Sequence, residues 1–280
     1  MHRFVIFVDG SNFAGALRRL SLRVDSYEPL FRHIFEGAAK TWRTTFDGAG
    51  APAQMHRVKW YEVGSLDEWN LDDAKAQLAL REVFERDHDV KRFYMALASQ
   101  KHPDRTRSDN AHDAWTMCFT DARRWYEERR DLVEGFRRFH YAIRSGTGFI
   151  DVVECGHWKL DLIHRQVLEK GLDTRLAVDM VTLLDTYDVA LLVPGEGESI
   201  PSVDHLQARG RHVGVVEFVS GQPRERSGPP QLSRARMSAD FVVQVSEVEL
   251  IDRGLAKKAV RPPPPAPGAA AITRQPGRPS

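Results

Sequence analysis

Hydrophobic and polar positions along this chain alternate between two rhythms. Residues 4–8 form a continuous apolar, β-rich run halted by Asp9-Gly10-Ser11-Asn12, which predicts a strand running into a turn. Directly after it, Phe13, Ala16, Leu17 and Leu20 recur at helical spacing. A strand that is apolar on both faces and then feeds a helix belongs in a parallel sheet covered on both sides. The rhythm continues with strands over residues 58–63 and 149–153. Residues 174–184 read as an amphipathic helix with Leu176, Ala177, Met180, Val181 and Leu184 on its apolar face and Asp173 as N-cap. Residues 189–193 are another fully apolar strand, followed by Pro194-Gly195-Glu196-Gly197-Glu198. A helix over residues 203–208 stops at Gly210, residues 213–219 form the next strand, and 241–245 an edge strand.

The middle of the chain keeps a different pattern. Residues 71–141 are rich in helix formers and charge, with a break at His102-Pro103-Asp104. Arg123, Arg124, Arg129, Arg130, Arg137 and Arg138 alternate with Trp125, Tyr126, Phe136, Phe139 and Tyr141. Leu132, Val133, Phe136 and Phe139 fall on one helical stripe, which assigns several of these aromatics to a core rather than to base stacking. Glu127, Glu128, Asp131 and Glu134 dilute the basic charge, so a solvated helical face is expected in preference to an RNA-facing patch. The organisation expected is one domain over residues 1–250 with 64–144 as a mainly helical insertion. The tail, 261–280, carries Pro262 to Pro265, Pro267, Pro276 and Pro279 and is expected to be disordered.

Composition narrows the class. The chain has 280 residues, 40 Lys+Arg against 39 Asp+Glu, and a net charge of +1, which excludes a polycation that holds nucleic acid by bulk charge. Two cysteines, Cys118 and Cys155, cannot build a zinc ribbon or a multi-bridge secreted scaffold and are expected as reduced thiols. No apolar run approaches the ~20 residues of a membrane helix, and the opening run is too short for a signal peptide. A soluble, cytoplasmic protein with no membrane partner is the expectation.

Candidate chemistry lies at the strand ends, where parallel α/β sheets place functional residues. Asp9 ends the first strand, Glu196 and Glu198 follow the 189–193 strand, and Asp173 opens the helix before it. Clustered carboxylates repel one another unless a cation lies between them, and Mg²⁺ or Mn²⁺ prefers such oxygen ligands. Asn12, one turn beyond Asp9, could orient a phosphate, a water or the Asp9 carboxylate. Asp179, six positions after Asp173, lies ~9 Å further along the helix axis. It therefore either supports the site from behind or makes a structural contact deeper in the fold.

These residues resemble the NYN domain, a branch of the PIN-like nuclease superfamily, and within it the LabA-like bacterial members. The resemblance is carried by Phe7-Val8-Asp9-Gly10-Ser11-Asn12-Phe13, by Lys170-Gly171-Leu172-Asp173 through Leu176-Ala177-Val178-Asp179-Met180, and by Tyr187-Asp188 through Leu192-Val193-Pro194-Gly195-Glu196-Gly197-Glu198. It continues through Val203, Leu206, Arg209-Gly210 and Val213. It implies a Rossmann-like, mostly parallel sheet flanked by helices, an acidic Mg²⁺ or Mn²⁺ pocket, and cleavage of RNA. By position, Asp9, Asp173, Glu196 and Glu198 would form the acidic, metal-binding and catalytic set. Ser11 and Asn12 would support it, and Asp179 would fill the family's helical acidic position. Where the family has two aspartates, a serine and a phenylalanine, this chain has Glu196, Glu198, Pro194 and Ser199.

The expectation is a metal-dependent endoribonuclease. The alternative is a catalytically impaired PIN-like module that binds RNA or regulates, motivated by the two Asp-to-Glu changes and the Arg/aromatic middle segment. A phosphatase of the haloacid-dehalogenase type needs a second acid where Ser11 stands, and a dinucleotide enzyme needs the absent G-x-G-x-x-G turn. The role of the insertion stays open among covering the site, gripping RNA and making a homo-oligomer contact.

Overall fold

His2–Asp9 forms strand β1 and is buried from Phe4 onward, as a run with no polar face must be. Helix α1 (Gly10–Arg19) starts at the next residue and turns Phe13, Ala16 and Leu17 inward. Then come β2 (Leu22–Arg23), α2 (Tyr27–Thr45) and β3 (Ala53–Leu66). Helix α2 is an element the strand-and-turn pattern misses, although Leu30, Phe31, Ile34, Ala38 and Trp42 bury one stripe of it. The helical middle is α3 (Ala74–Arg86), α4 (His88–Lys101) and α5 (Arg107–Gly146), with the expected break near Pro103. The chain continues through β4 (Ile150–Asp161), β5 (Gln166–Lys170), α6 (Leu172–Thr182) and β6 (Val189–Val193). It ends with α7 (Ile200–Ala208), β7 (His212–Val219), β8 (Phe241–Ser246), α8 (Glu247–Asp252) and β9 (Lys257–Lys258). This computed structural model describes residues 1–46, 50–146, 148–193, 200–221 and 238–259. The Pro-rich tail lies outside the described residues.

Seven strands form one sheet in the order β5-β4-β3-β1-β6-β7-β8. The β1–β3, β1–β6, β6–β7 and β7–β8 pairings are parallel, and β4–β5 is antiparallel. The α/β class and mostly parallel sheet agree with the sequence pattern, and β8 is an edge strand as expected. The described residues divide into two compact units, one of residues 1–63, 139–156 and 171–259, the other of 64–138 and 157–170.

In the first unit, strand alternation sends alternate side chains of β1 into different cores. Phe4, Ile6 and Val8 join Phe13, Leu30, Phe31 and Ile34 of α1 and α2. Val5 and Phe7 join Tyr61, Leu176, Met180, Val203 and Leu206 on the other face. Asp188, just before β6, accepts the Arg3 backbone N–H at 2.8 Å and pairs with the Arg3 and Arg211 guanidiniums. Burial alone would raise its pKa, but these cationic partners outweigh that and hold it below the usual range. This acid marks the start of β6, at the opposite edge from its C-terminal end.

In the second unit, Leu80, Phe84, Tyr94, Ala114, Cys118, Ala122, Trp125, Tyr126 and Val133 are buried. Trp125 and Tyr126 are thus core residues. Leu132 is 40% exposed, contrary to the expected stripe, because it lies about 100° around the helix from its buried neighbour Val133. Cys118 and Cys155 are free thiols. Burial pushes the Cys118 thiol up to about 12, so it is inert as a nucleophile near neutral pH.

Candidate acidic site at the strand edge

Strand order reverses at β1. The chain steps from β1 to β3 on one side, and β6, β7 and β8 build outward on the other. In open α/β sheets the crevice beyond the carboxyl ends at such a switch point is where ligands bind. Asp9 stands there. In register it faces Tyr61 of β3, while its neighbour Val8 faces Val193, the last residue of β6. The Asp9 carboxylate is 6% exposed and caps α1. One oxygen accepts the Asn12 backbone N–H at 2.8 Å, and the other accepts the Asn12 side-chain amide at 2.7 Å. This is an N-cap elaborated by the capping partner's own side chain. It holds both carboxylate oxygens in a fixed plane. Ser11 lies between them in the first turn of α1, half-buried.

A buried acid outside the expected set lies next to this turn. Glu62 follows Tyr61 on β3 and is 8% exposed. Its Oε1 accepts the Trp60 indole N–H at 2.8 Å. Gly10 makes room for it, since a Cβ at Gly10 would stand 2.1 Å from Glu62 Oε1 and 2.6 Å from Trp60 Nε1. Burial, with the Glu62 charge second, pushes the Tyr27 phenol up to about 12. The signal for Glu62 was an acid inside the otherwise β-rich 58–63 run, which also carries Lys59. Without knowing which strand lies alongside, that charge reads as a solvent-facing position.

Helix α6 is joined to the start of β6 by a short turn, so it runs back along the sheet and begins at the edge where β6 ends. Asp173 sits in its first turn, half-buried. It is not the N-cap. That position is Gly171 at φ +91, with no side-chain cap bond. The left-handed backbone at the cap requires glycine, and Asp173 instead sits two residues after it, within the first turn, where a carboxylate meets the helix's positive end. Asp173 borders an open groove with Thr174, Val178 and Ser202.

Asp179 points into the first unit. It is 8% exposed, accepts the Tyr61 hydroxyl at 3.0 Å and pairs with Arg175 Nε at 2.8 Å. Burial, then the Asp179 charge, raises the Tyr61 phenol far above its ordinary value. Because Tyr61 is the register partner of Asp9, this contact braces β3 opposite the capped carboxylate. The structure thus brings Asp9, Ser11 and Asn12 together, places Asp173 at the start of α6, and engages Asp179 with Tyr61 and Arg175. Glu196 and Glu198 lie outside the described residues. Among the described residues no three His, Cys, Asp or Glu side chains are grouped to hold a metal ion, and none of their helices is long and apolar enough to cross a membrane.

A mostly parallel sheet flanked by helices, with an acidic strand end where the strand order reverses, is an α/β fold consistent with a PIN-like domain. The family model for the NYN domain matches residues 3–238. This chain belongs to the NYN domain family, itself part of the PIN-like nuclease superfamily. Membership implies a nuclease-like function in general, and PIN-like nucleases generally use divalent metals. The crystal structure of a protein of unknown function from Vibrio parahaemolyticus is similar at 16% identity and a TM-score of 0.39, covering 88% of this chain and 94% of that one. No curated protein matches the chain.

Proposed function

We propose that this protein is a metal-dependent endoribonuclease that cleaves RNA phosphodiesters at an acidic site of Asp9, Asp173, Glu196 and Glu198, holding Mg²⁺ or Mn²⁺. The observation that carries the reading is the buried Asp9 carboxylate, aligned at both oxygens by Asn12 where the strand order reverses. The donor chemistry fits, because carboxylate oxygens are what hard divalent ions take. A bound ion would lower the pKa of a coordinated water and offset charge on the phosphodiester. Asp9 offers a carboxylate whose orientation Asn12 maintains, and Asp173 offers one from the start of α6. Glu196 and Glu198 follow the end of β6 by three and five residues. The two free thiols support a reducing compartment such as the cytoplasm.

The test is cleavage of mixed single-stranded and structured RNA by the purified full chain with Mg²⁺ or Mn²⁺. Asp9→Asn should cut at least about 100-fold more slowly with its circular dichroism unchanged. Absence of cleavage by the wild type with either ion, or equal cleavage by Asp9→Asn, would overturn the proposal. RNA binding that persists without cleavage would identify the impaired module instead.

A further inference from the structure

A groove of about 760 Å³ in the second unit has Ser65 in its wall, within the range of roughly 300–1,000 Å³ that small-molecule sites occupy. Ser65 is joined to two residues that give it a chemical role. Its Oγ stands 2.9 Å from His157 Nδ1, and His157 Nε2 stands 2.8 Å from Asp67 Oδ1. The other Asp67 oxygen accepts the Leu160 backbone N–H at 2.9 Å, which fixes the carboxylate. An ionised carboxylate only accepts, so Nε2 carries the ring proton and Nδ1 turns its lone pair to the Ser65 hydroxyl. An acid orients the ring and the ring accepts the hydroxyl proton. These are the roles of a nucleophilic triad, which is recognised by geometry rather than by sequence position.

The groove also determines what such a serine would meet. Trp69, Tyr126 and Val133 supply its apolar wall. Arg137 donates from Nε and Nη2 to the Gly64 carbonyl at 3.1 and 2.9 Å, which ties its cation to the residue preceding Ser65. Its Nη1 stands 3.6 Å from Glu134 Oε2, so this cation is fixed within the groove wall. Three carboxylates, Glu68, Asp131 and Glu134, outnumber the guanidiniums of Arg130 and Arg137 along the groove. That balance disfavours phosphate esters and anionic acyl groups.

We propose that Ser65, His157 and Asp67 form a further catalytic site that hydrolyses small uncharged carboxylic esters through an acyl-serine. Ser65 Oγ bonds to the carbonyl carbon as its proton passes to His157 Nδ1. The tetrahedral adduct then breaks its bond to the leaving oxygen, which departs as the alcohol with that proton. Water adds to the acyl-serine by the same proton transfer, releasing the carboxylic acid and restoring Ser65. Asp67 stays ionised throughout and holds the ring.

The test uses the full chain with a fluorophosphonate probe and with p-nitrophenyl acetate. The probe should label one peptide, at Ser65, by mass spectrometry. Ser65→Ala should lose both the label and turnover above the buffer rate. Asp67→Asn, which removes the orienting charge, should slow turnover by on the order of 10²- to 10⁴-fold. Thermal melts of each variant separate loss of the site from loss of the fold. No label on Ser65 in the folded wild type, or undiminished turnover by folded Ser65→Ala, would overturn the assignment, whatever the RNA assay shows.

Discussion

Gly10→Ala tests how the acidic turn is packed. The added Cβ would lie 2.1 Å from Glu62 Oε1, 2.3 Å from Glu62 Cδ and 2.6 Å from Trp60 Nε1. All three are about 1 Å or more inside ordinary contact, so something must move. If the Glu62 carboxylate swings away, the 3%-exposed Trp60 loses its indole acceptor. A buried donor left without its partner costs about 1–3 kcal/mol. If Glu62 stays, the first turn of α1 must shift and disturb the Asp9 cap, and overpacking of this kind costs about 1–3 kcal/mol. The gain from alanine at the first helical position is below about 1 kcal/mol. The net expectation is a loss of about 1–2 kcal/mol, or roughly 2–8 °C in Tm for a chain of this size. Urea denaturation of Gly10→Ala, Glu62→Ala and the double variant measures it. Because the clash is with Glu62, the double variant should be more stable than the sum of the singles by at least about 1 kcal/mol. A Gly10→Ala protein within about 0.5 kcal/mol of wild type, or strict additivity, would refute the packing argument.

Two further predictions concern groups whose partners lie far away in the chain. Asp179→Ala leaves the fully buried Tyr61 hydroxyl without its acceptor and should cost about 2–3 kcal/mol in denaturant melts. Asp179→Asn keeps that acceptor and loses mainly the pairing with half-exposed Arg175, costing about 1 kcal/mol. Equal losses in the two variants would mean that the Tyr61 contact is not what matters. In the second unit, His164 is bonded at 2.8 Å to both Asp87 and Asp161. The Asp87 bond, opposed by burial and helped by Asp161, raises its pKa above 6.5. A raised histidine contributes stability fully below the unfolded value and loses it as pH rises through the folded one. The stability advantage of wild type over His164→Gln should therefore be larger near pH ~5.5 than near pH ~8, and an advantage independent of pH would contradict it.

Local rules made much of this molecule legible in its sequence. The apolar run before Asp9, the alternation of strands and helices and the mostly parallel class follow from periodicity, which each short segment expresses by itself. The Asp9–Asn12 contact belongs to the same category, because an acid at a helix start and an amide three residues on meet through the geometry of one turn. Asp173 shows where local rules stop: its residue type suits a cap, but the left-handed backbone at Gly171 moves the cap two positions earlier.

Tertiary structure decided the rest. Glu62 gained its burial because β3 lies beside β1 and Gly10 has no side chain to exclude it. Asp179 found Tyr61 across 118 positions, and Ser65 found His157 across 92. Such pairings depend on strand order and on which face each strand turns to its neighbour. Hydrophobic pattern is almost degenerate in both when strands are apolar on two sides. The sequence by itself therefore determined most strands of the central sheet and several of its helices, though not α2, and it placed Asn12 within one turn of Asp9. The order of the strands decided which acids, tyrosines and histidines became neighbours.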